Sequence, residues 1–225
     1  MLEEARELIS DRVRASLGRI AGREVVLAIA GVGAKRAAAM LTTLLAELPC
    51  SAAIGVGVAG GLTDDLKAGQ LVAADAVYEE GGRSLVPDAS WLDAATGAGA
   101  TRARIVSTAS IVGTPSAKRA LARRIGGASA AVDLESYAWA GAAAARGIPW
   151  TILRVISDRV DEAIPDFVAD CQREDGSIDR GRVAAKGLAV PTRLMTLLRL
   201  RRRVHEASAT LAVTLGAIMR DRNAA

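Results

Sequence analysis

The chain has 225 residues, enough for one α/β domain with a sizeable core, and 51% apolar against 24% charged residues marks it as globular. A net charge of +4 comes from 25 arginines and four lysines, but three Trp, two Tyr and one Phe are too few to stack bases along a basic face, which argues against nucleic acid. Two cysteines make neither a disulfide framework nor a metal site. No signal-peptide pattern opens the sequence and no apolar run approaches the ~20 residues needed to span a bilayer, so a cytoplasmic protein is expected.

Leu8, Ile9, Val13 and Leu17 fall on one side of a helical wheel and predict a helix over 2–17. Val25–Ala30 reads as a short buried strand ending in Gly31-Val32-Gly33, and Lys35–Leu48 as a helix stopped by Pro49. Strands follow at Ala52–Val58, Leu71–Val77 and, after a loop rich in Gly, Pro and Ser, Ile105–Ser107. Pro115–Ile125 is helical, Ala130–Val132 is a brief strand, and Glu135–Arg146 is an Ala-rich helix closed by Gly147. Trp150–Ile156 is almost continuously apolar, the pattern of a strand covered on both faces. From Arg180 onward the chain reads as helix, broken at Pro191. Strands alternating with helices imply an α/β three-layer sandwich around a mixed sheet, one domain over 1–225 with a helical extension from about 180.

Gly55-Val56-Gly57-Val58-Ala59-Gly60 satisfies G-x-G-x-x-G, but a dinucleotide fingerprint must open a helix whose N-terminus meets the pyrophosphate. Here it leads into the turn-rich stretch Leu62–Gly69 instead, which argues against NAD.

Three other stretches carry a family resemblance. Gly60-Gly61-Leu62 followed by Leu66-Lys67-Ala68-Gly69-Gln70-Leu71-Val72, Ala131-Val132-Asp133-Leu134-Glu135-Ser136, and Arg154-Val155-Ile156-Ser157-Asp158 resemble the glycine-loop, "VDMES" and "RxISD" segments of the nucleoside phosphorylase/nucleosidase family. The resemblance implies cleavage of the N-glycosidic bond of a purine nucleoside. It implies that Ala59 and Gly60 bring backbone close to the nucleoside, that Glu135 accepts from the ribose hydroxyls, and that Leu134 packs on the sugar. Asp158 is implied as the general acid at purine N7. The chemistry suits these residue types, because a carboxylate accepts from two vicinal hydroxyls with charge-assisted strength and a carboxyl group can make the purine a neutral leaving group. A plainer role also exists for Asp133 as a helix cap and for Asp158 as the residue opening a loop.

Ser107–Gly113 occupies the place where the family holds the purine, and Ile111 and Val112 are assigned there, although the family's aromatic and acid are absent. Met1–Leu8 resembles the segment that follows the family's first strand, which puts Glu4 on the glutamate that positions or deprotonates the attacking water. The usual first strand itself is lacking on this reading. Val58 stands where phosphorylases place a Ser or Thr for phosphate, so hydrolysis is favoured, with phosphate kept as a possible co-substrate. No metal or organic cofactor is implied.

The C-terminal part, with Asp175-Gly176-Ser177-Ile178-Asp179, Pro191 and the arginines 199–203, resembles the hopanoid-biosynthesis-associated phosphorylases. That branch implies adenine release from adenosylhopane, a lipid-linked nucleoside, and raises peripheral membrane contact through those arginines. An amphipathic helix that packs on the sheet and leaves its arginines in water is the favoured account of them. The resemblance also implies a homo-oligomer. A methylthioadenosine/adenosylhomocysteine nucleosidase or another purine nucleoside phosphorylase is the alternative, and a non-catalytic purine-binding protein the reading from a different class.

Overall fold

The computed structural model describes residues 2–9, 14–126, 129–165, 171, 179, 181–183, 185 and 191–224. Two sheets are present. Strands β1 (Glu3–Ile9), β2 (Arg14–Ile20) and β3 (Arg23–Ala28) form an antiparallel three-stranded sheet in that order. Strands β4 (Ala53–Gly61), β5 (Leu71–Glu79), β6 (Ser84–Leu85), β7 (Thr101–Ser107), β8 (Ala130–Asp133) and β9 (Trp150–Asp158) form a mixed six-stranded sheet ordered β6-β5-β7-β8-β4-β9. An additional antiparallel pairing of β5 with β9 closes β5-β7-β8-β4-β9 into a ring.

Five strands make a tight ring, and small side chains fill it. Ala59, Val72, Ala103, Ala131 and Ile156, one from each strand, cluster with Leu66, and all are buried. Helices cover the outside. α1 (Ala34–Glu47) and α4 (Ser136–Ala144) pack on the face built from Val77, Ile105, Trp150 and Ile152. α2 (Ala89–Gly97) and α5 (Pro191–Ala224) pack on the opposite face, where Trp91, Leu211 and Ile218 meet Leu71, Leu153 and Val155. α3 (Pro115–Ile125) lays Leu121 against Val106, Val132 and Leu62. The buried run of β9 is therefore shared between the two faces, Ile152 serving one and Leu153 with Val155 the other.

The N-terminus corrects the sequence reading. No helix runs over 2–17, because Glu3–Ile9 and Arg14–Ile20 are antiparallel strands with Arg6 opposite Leu17 and Glu7 opposite Ser16. Helical spacing of four apolar residues loses here to pairing with β3, whose Val25 and Val26 lie opposite Gly18 and Leu17. Gly18 permits the contact, since a Cβ there would stand 2.7 Å from the Glu3 carbonyl oxygen.

Two further differences are smaller. The glycines after Val58 belong to β4 rather than to a loop, and the stretch before Ile105 holds β6 and α2, the latter capped by Asp88, whose carboxylate accepts from Ser90 N and Trp91 N. Among the described residues no strand pairs with the second edge of β3, and β4 pairs along Ala53–Ala59 only with β9. No described helix is long and apolar enough to cross a membrane.

Candidate active site

A cavity of about 1130 Å³ runs the length of β4, with Arg23–Ala28 of β3 and the loop beyond it on its other side. Many of its polar groups come from the C-terminal ends of β7 and β8, the middle of β9 and the turn into α4. Asp133, Glu135, Arg154 and Thr108 reach it, and Leu134, Ile111, Val112, Ala59 and Gly60 complete that part of the wall. Elsewhere the wall is largely apolar, with Ile20, Met40, Leu44, Leu48, Leu215 and Met219, and Arg23, Glu24 and Ser51 add polar groups.

Local chemistry explains how the polar part is held. Asp133 ends β8, and its Oδ1 accepts from Glu135 N at 3.2 Å and Ser136 N at 3.1 Å, so it caps α4. The Ser107 hydroxyl donates to the same oxygen at 2.7 Å and accepts from Tyr137 N at 2.9 Å. Oδ2 takes Arg154 Nε at 2.9 Å and the Ser136 hydroxyl, and Arg154 Nη2 reaches Ser136 Oγ at 2.9 Å. Arg154 and Asp133 form an ion pair with side chains 6% and 3% exposed, and such a pair holds only when its remaining hydrogen bonds are made.

This network accounts for the glycines of β4. Gly57 lies opposite Arg154, and a Cβ at Gly57 would stand 3.2 Å from Arg154 Nη1. Gly55 lies opposite Ile152, and a Cβ there would meet Ile152 Cδ1 at 2.8 Å. The G-x-G spacing makes room for side chains of β9 rather than for a pyrophosphate.

Glu135 begins α4, and its Oε1 accepts from the Gly33 backbone N–H at 2.8 Å. Gly33 has φ 108, a conformation that favours glycine, and this aims its N–H inward at the start of α1. Burial pushes the Glu135 carboxyl above its ordinary range, with Asp133 adding to the rise, while the Gly33 N–H and Arg154 oppose it.

Asp158 adjoins the wall, with its side chain 12% exposed. It is not itself among the lining residues, but its Oδ2 would be 3.1 Å from a Cβ on Gly60, which is. Its Oδ1 accepts from the Ser157 hydroxyl at 2.5 Å and its Oδ2 from Lys118 Nζ. Lys118 was not singled out from the sequence. It sits in the first turn of α3 with its side chain fully buried, and one lysine in an otherwise arginine-rich helix was the available signal.

The structure does not bring Glu4 to this cavity. Glu4 lies on β1 at φ 52, its side chain is 82% exposed, and its nearest cation is Arg19 at 3.9 Å. The helix that was to carry it is a strand, so it has no route to the site. Arg203, one of the C-terminal arginines, braces the site loop instead of standing free. It grips Glu162 through two hydrogen bonds of 3.0 Å and donates to the Ser157 carbonyl at 3.0 Å, whereas Arg202 pairs with Glu206 on the surface. The side chains of Arg199 and Arg201, and the stretch 175–178 that suggested the hopanoid branch, lie outside the described residues. His205 is exposed on α5.

A mixed sheet closed into a ring, flanked by helices and carrying a carboxylate-lined cleft at its strand ends, defines an α/β enzyme-like fold. Residues 3–179 match the Phosphorylase superfamily, and the chain belongs to that family. It is 28% identical over 174 residues to a 5'-methylthioadenosine/S-adenosylhomocysteine nucleosidase from Shewanella denitrificans, covering 67% of this chain and 75% of the relative. Among solved structures, the nucleosidase of that name from Neisseria meningitidis, in complex with methylthio-immucillin-A, superposes with a TM-score of 0.76 at 22% identity, covering 98% of this chain and 91% of the other. Futalosine hydrolase of Helicobacter pylori gives 0.74 at 17% identity, with 98% and 89% covered. The named relatives are nucleosidases, enzymes that cut N-glycosidic bonds. Among the described residues no group of His, Cys, Asp and Glu is arranged to hold a metal.

Proposed function

We propose that the cavity binds an adenosine derivative and cleaves the bond between C1′ and N9. The observation that carries this reading is Glu135: a carboxylate set at the mouth of a helix, lining the cavity, with one oxygen held by Gly33. It grips the ribose hydroxyls, Leu134 packs on the sugar, and Ile111 and Val112 cover the purine. Ala59 and Gly60 let the backbone of β4 approach the nucleoside closely.

Asp158 donates a proton to N7. The C1′–N9 bond breaks with its electron pair leaving on the base, and adenine departs neutral while water or phosphate adds to C1′. A proton supplied to N7 in this way is worth ~10²–10⁴ in rate. Val58 offers no hydroxyl to phosphate, which favours water. Glu4 takes no part.

The substrate on this reading is a nucleoside with a large apolar 5′ substituent, adenosylhopane in the first place. A volume of about 1130 Å³ lies beyond the 300–1,000 Å³ of ordinary small-molecule pockets, and leucine and methionine side chains of α1 and α5 line the surplus. Methylthioadenosine or adenosylhomocysteine is the second reading, favoured by the relative from Shewanella denitrificans. Adenine release measured on adenosylhopane and on methylthioadenosine separates them. Faster release from the lipid-linked nucleoside supports the first, and turnover of methylthioadenosine alone supports the second.

A further inference from the structure

We propose that Lys118 is the positioning residue that holds Asp158 and supplies the proton Asp158 delivers. The inference rests on the proposed role of Asp158 as the acid at N7.

The Lys118 side chain is 0% exposed, and its ammonium spends its hydrogens on three acceptors: Asp158 Oδ2, the Arg159 carbonyl at 2.7 Å and the Glu162 carbonyl at 2.8 Å. Burying an ammonium carries a desolvation cost of several kcal/mol, and a well-packed apolar residue of similar volume commonly serves stability as well or better. Removing Lys118 alone would strand these three acceptors, so the residue serves the structure as well as the proton. The neighbouring arginines are committed elsewhere, Arg159 to Asp161 and Arg203 to Glu162. Among the described residues, Lys118 is the cation hydrogen-bonded to the Asp158 carboxylate.

Its placement is built in. Thr114 caps α3 by accepting from Ala117 N at 3.2 Å, Pro115 opens the helix, and Lys118 follows in the first turn, directed at the loop after β9. The two carbonyls it binds belong to that loop, so one side chain fixes both the carboxylate and the backbone that carries it. Gly60 closes on the same oxygen from the cavity side.

The proton balance follows from these contacts. Nζ gives a proton to Oδ2, leaving a neutral amine and a carboxyl group, and Oδ2 hands that proton to N7 as the C1′–N9 pair moves onto the base. The attacking water or hydrogen phosphate sheds one proton on bonding to C1′, and uptake of one proton returns Lys118 to the ammonium. The cycle consumes none.

The test compares a nucleoside that wild-type protein turns over with the same nucleoside methylated at N7. The methylated base already carries the positive charge and leaves without an acid. Lys118→Met is expected to slow adenine release from the ordinary nucleoside by about 100-fold or more, and release from the N7-methyl nucleoside by only a few-fold. Lys118→Arg is expected to recover part of the loss. Lys118→Gln keeps a hydrogen bond to Oδ2 without a cationic proton, and makes the same comparison should the methionine variant not fold. Equal slowing of both nucleosides in a folded variant overturns the inference and leaves Lys118 a structural residue. Failure of the wild type to release adenine from any nucleoside is a different result, and contradicts the proposed function itself.

Discussion

Gly33 and Glu135 stand 102 residues apart in sequence, yet the Gly33 backbone N–H donates to Glu135 Oε1 at 2.8 Å. The contact joins the start of α1 to the start of α4 and holds a carboxylate that lines the cavity. It links the glycine turn after β3 to the proposed sugar site, two features that were separate motifs in the sequence.

Glu135→Gln is expected to weaken nucleoside binding by roughly 10- to 150-fold, the value of a charge-assisted hydrogen bond of about 1.5–3 kcal/mol, seen as a rise in KM or in the Kd of an unreactive analogue. The wild-type carboxyl is raised by burial, so its ionised form, the one that accepts from both hydroxyls, is lost as pH falls through that raised value. Binding therefore weakens toward acid pH in the wild type and stays flat in the variant. Stability runs the other way. A raised folded value contributes stability that is fully present below the unfolded carboxyl value and is lost as pH rises through the folded one. At neutral pH Glu135→Gln is expected to raise the thermal midpoint while it lowers activity.

Arg154→Met breaks a pair that is almost wholly buried and strands Asp133 without its cation. A loss of about 3–5 kcal/mol is expected in urea unfolding. Loss of the α4 cap geometry, seen as a matching loss of nucleoside affinity, is expected in whatever fraction remains folded.

Gly60→Ala places a methyl group 3.1 Å from Asp158 Oδ2 and 3.4 Å from Val132 Cγ1. The carboxylate and the valine must give way by a few tenths of an ångström. A fall in kcat with KM little changed is expected, and no more than about 1–3 kcal/mol of stability is lost. An unchanged kcat would mean that the position of Asp158 does not govern the reaction.

Arg203→Gln removes the two hydrogen bonds to Glu162, whose carboxyl the Arg203 side chain holds below its usual range. Both side chains are partly exposed, so the pair is worth no more than about 1 kcal/mol. Because the folded value is depressed, this contribution is present above the unfolded carboxyl value and disappears as pH falls through the folded one. Wild type and variant are therefore expected to differ in midpoint at neutral pH and to converge in acid.

The readable parts of the chain were those in which local pattern and tertiary role agree. Pro115–Ile125 was legible because Thr114, Pro115 and Gly126 punctuate it, and β9 because a nearly continuous apolar run suits a strand buried on both faces. Glu135, Leu134, Ile111, Val112, Ala59 and Gly60 all line one cavity. The N-terminus was not legible. Four apolar residues at helical spacing carry no information about the partner strand that pairs with β2, and the placement of Glu4 failed with the helix. Lys118 was missed for a different reason: a lysine three residues into a charged helix looks solvated until the loop after β9 folds over it.

The most direct measurement is adenine release from adenosylhopane and methylthioadenosine by wild type and by Asp158→Asn, each with and without phosphate. The account predicts release by the wild type, without a need for phosphate, that falls by about 10²–10⁴ in the variant. Release at equal rates from wild type and Asp158→Asn, or none from folded wild-type protein, would contradict it.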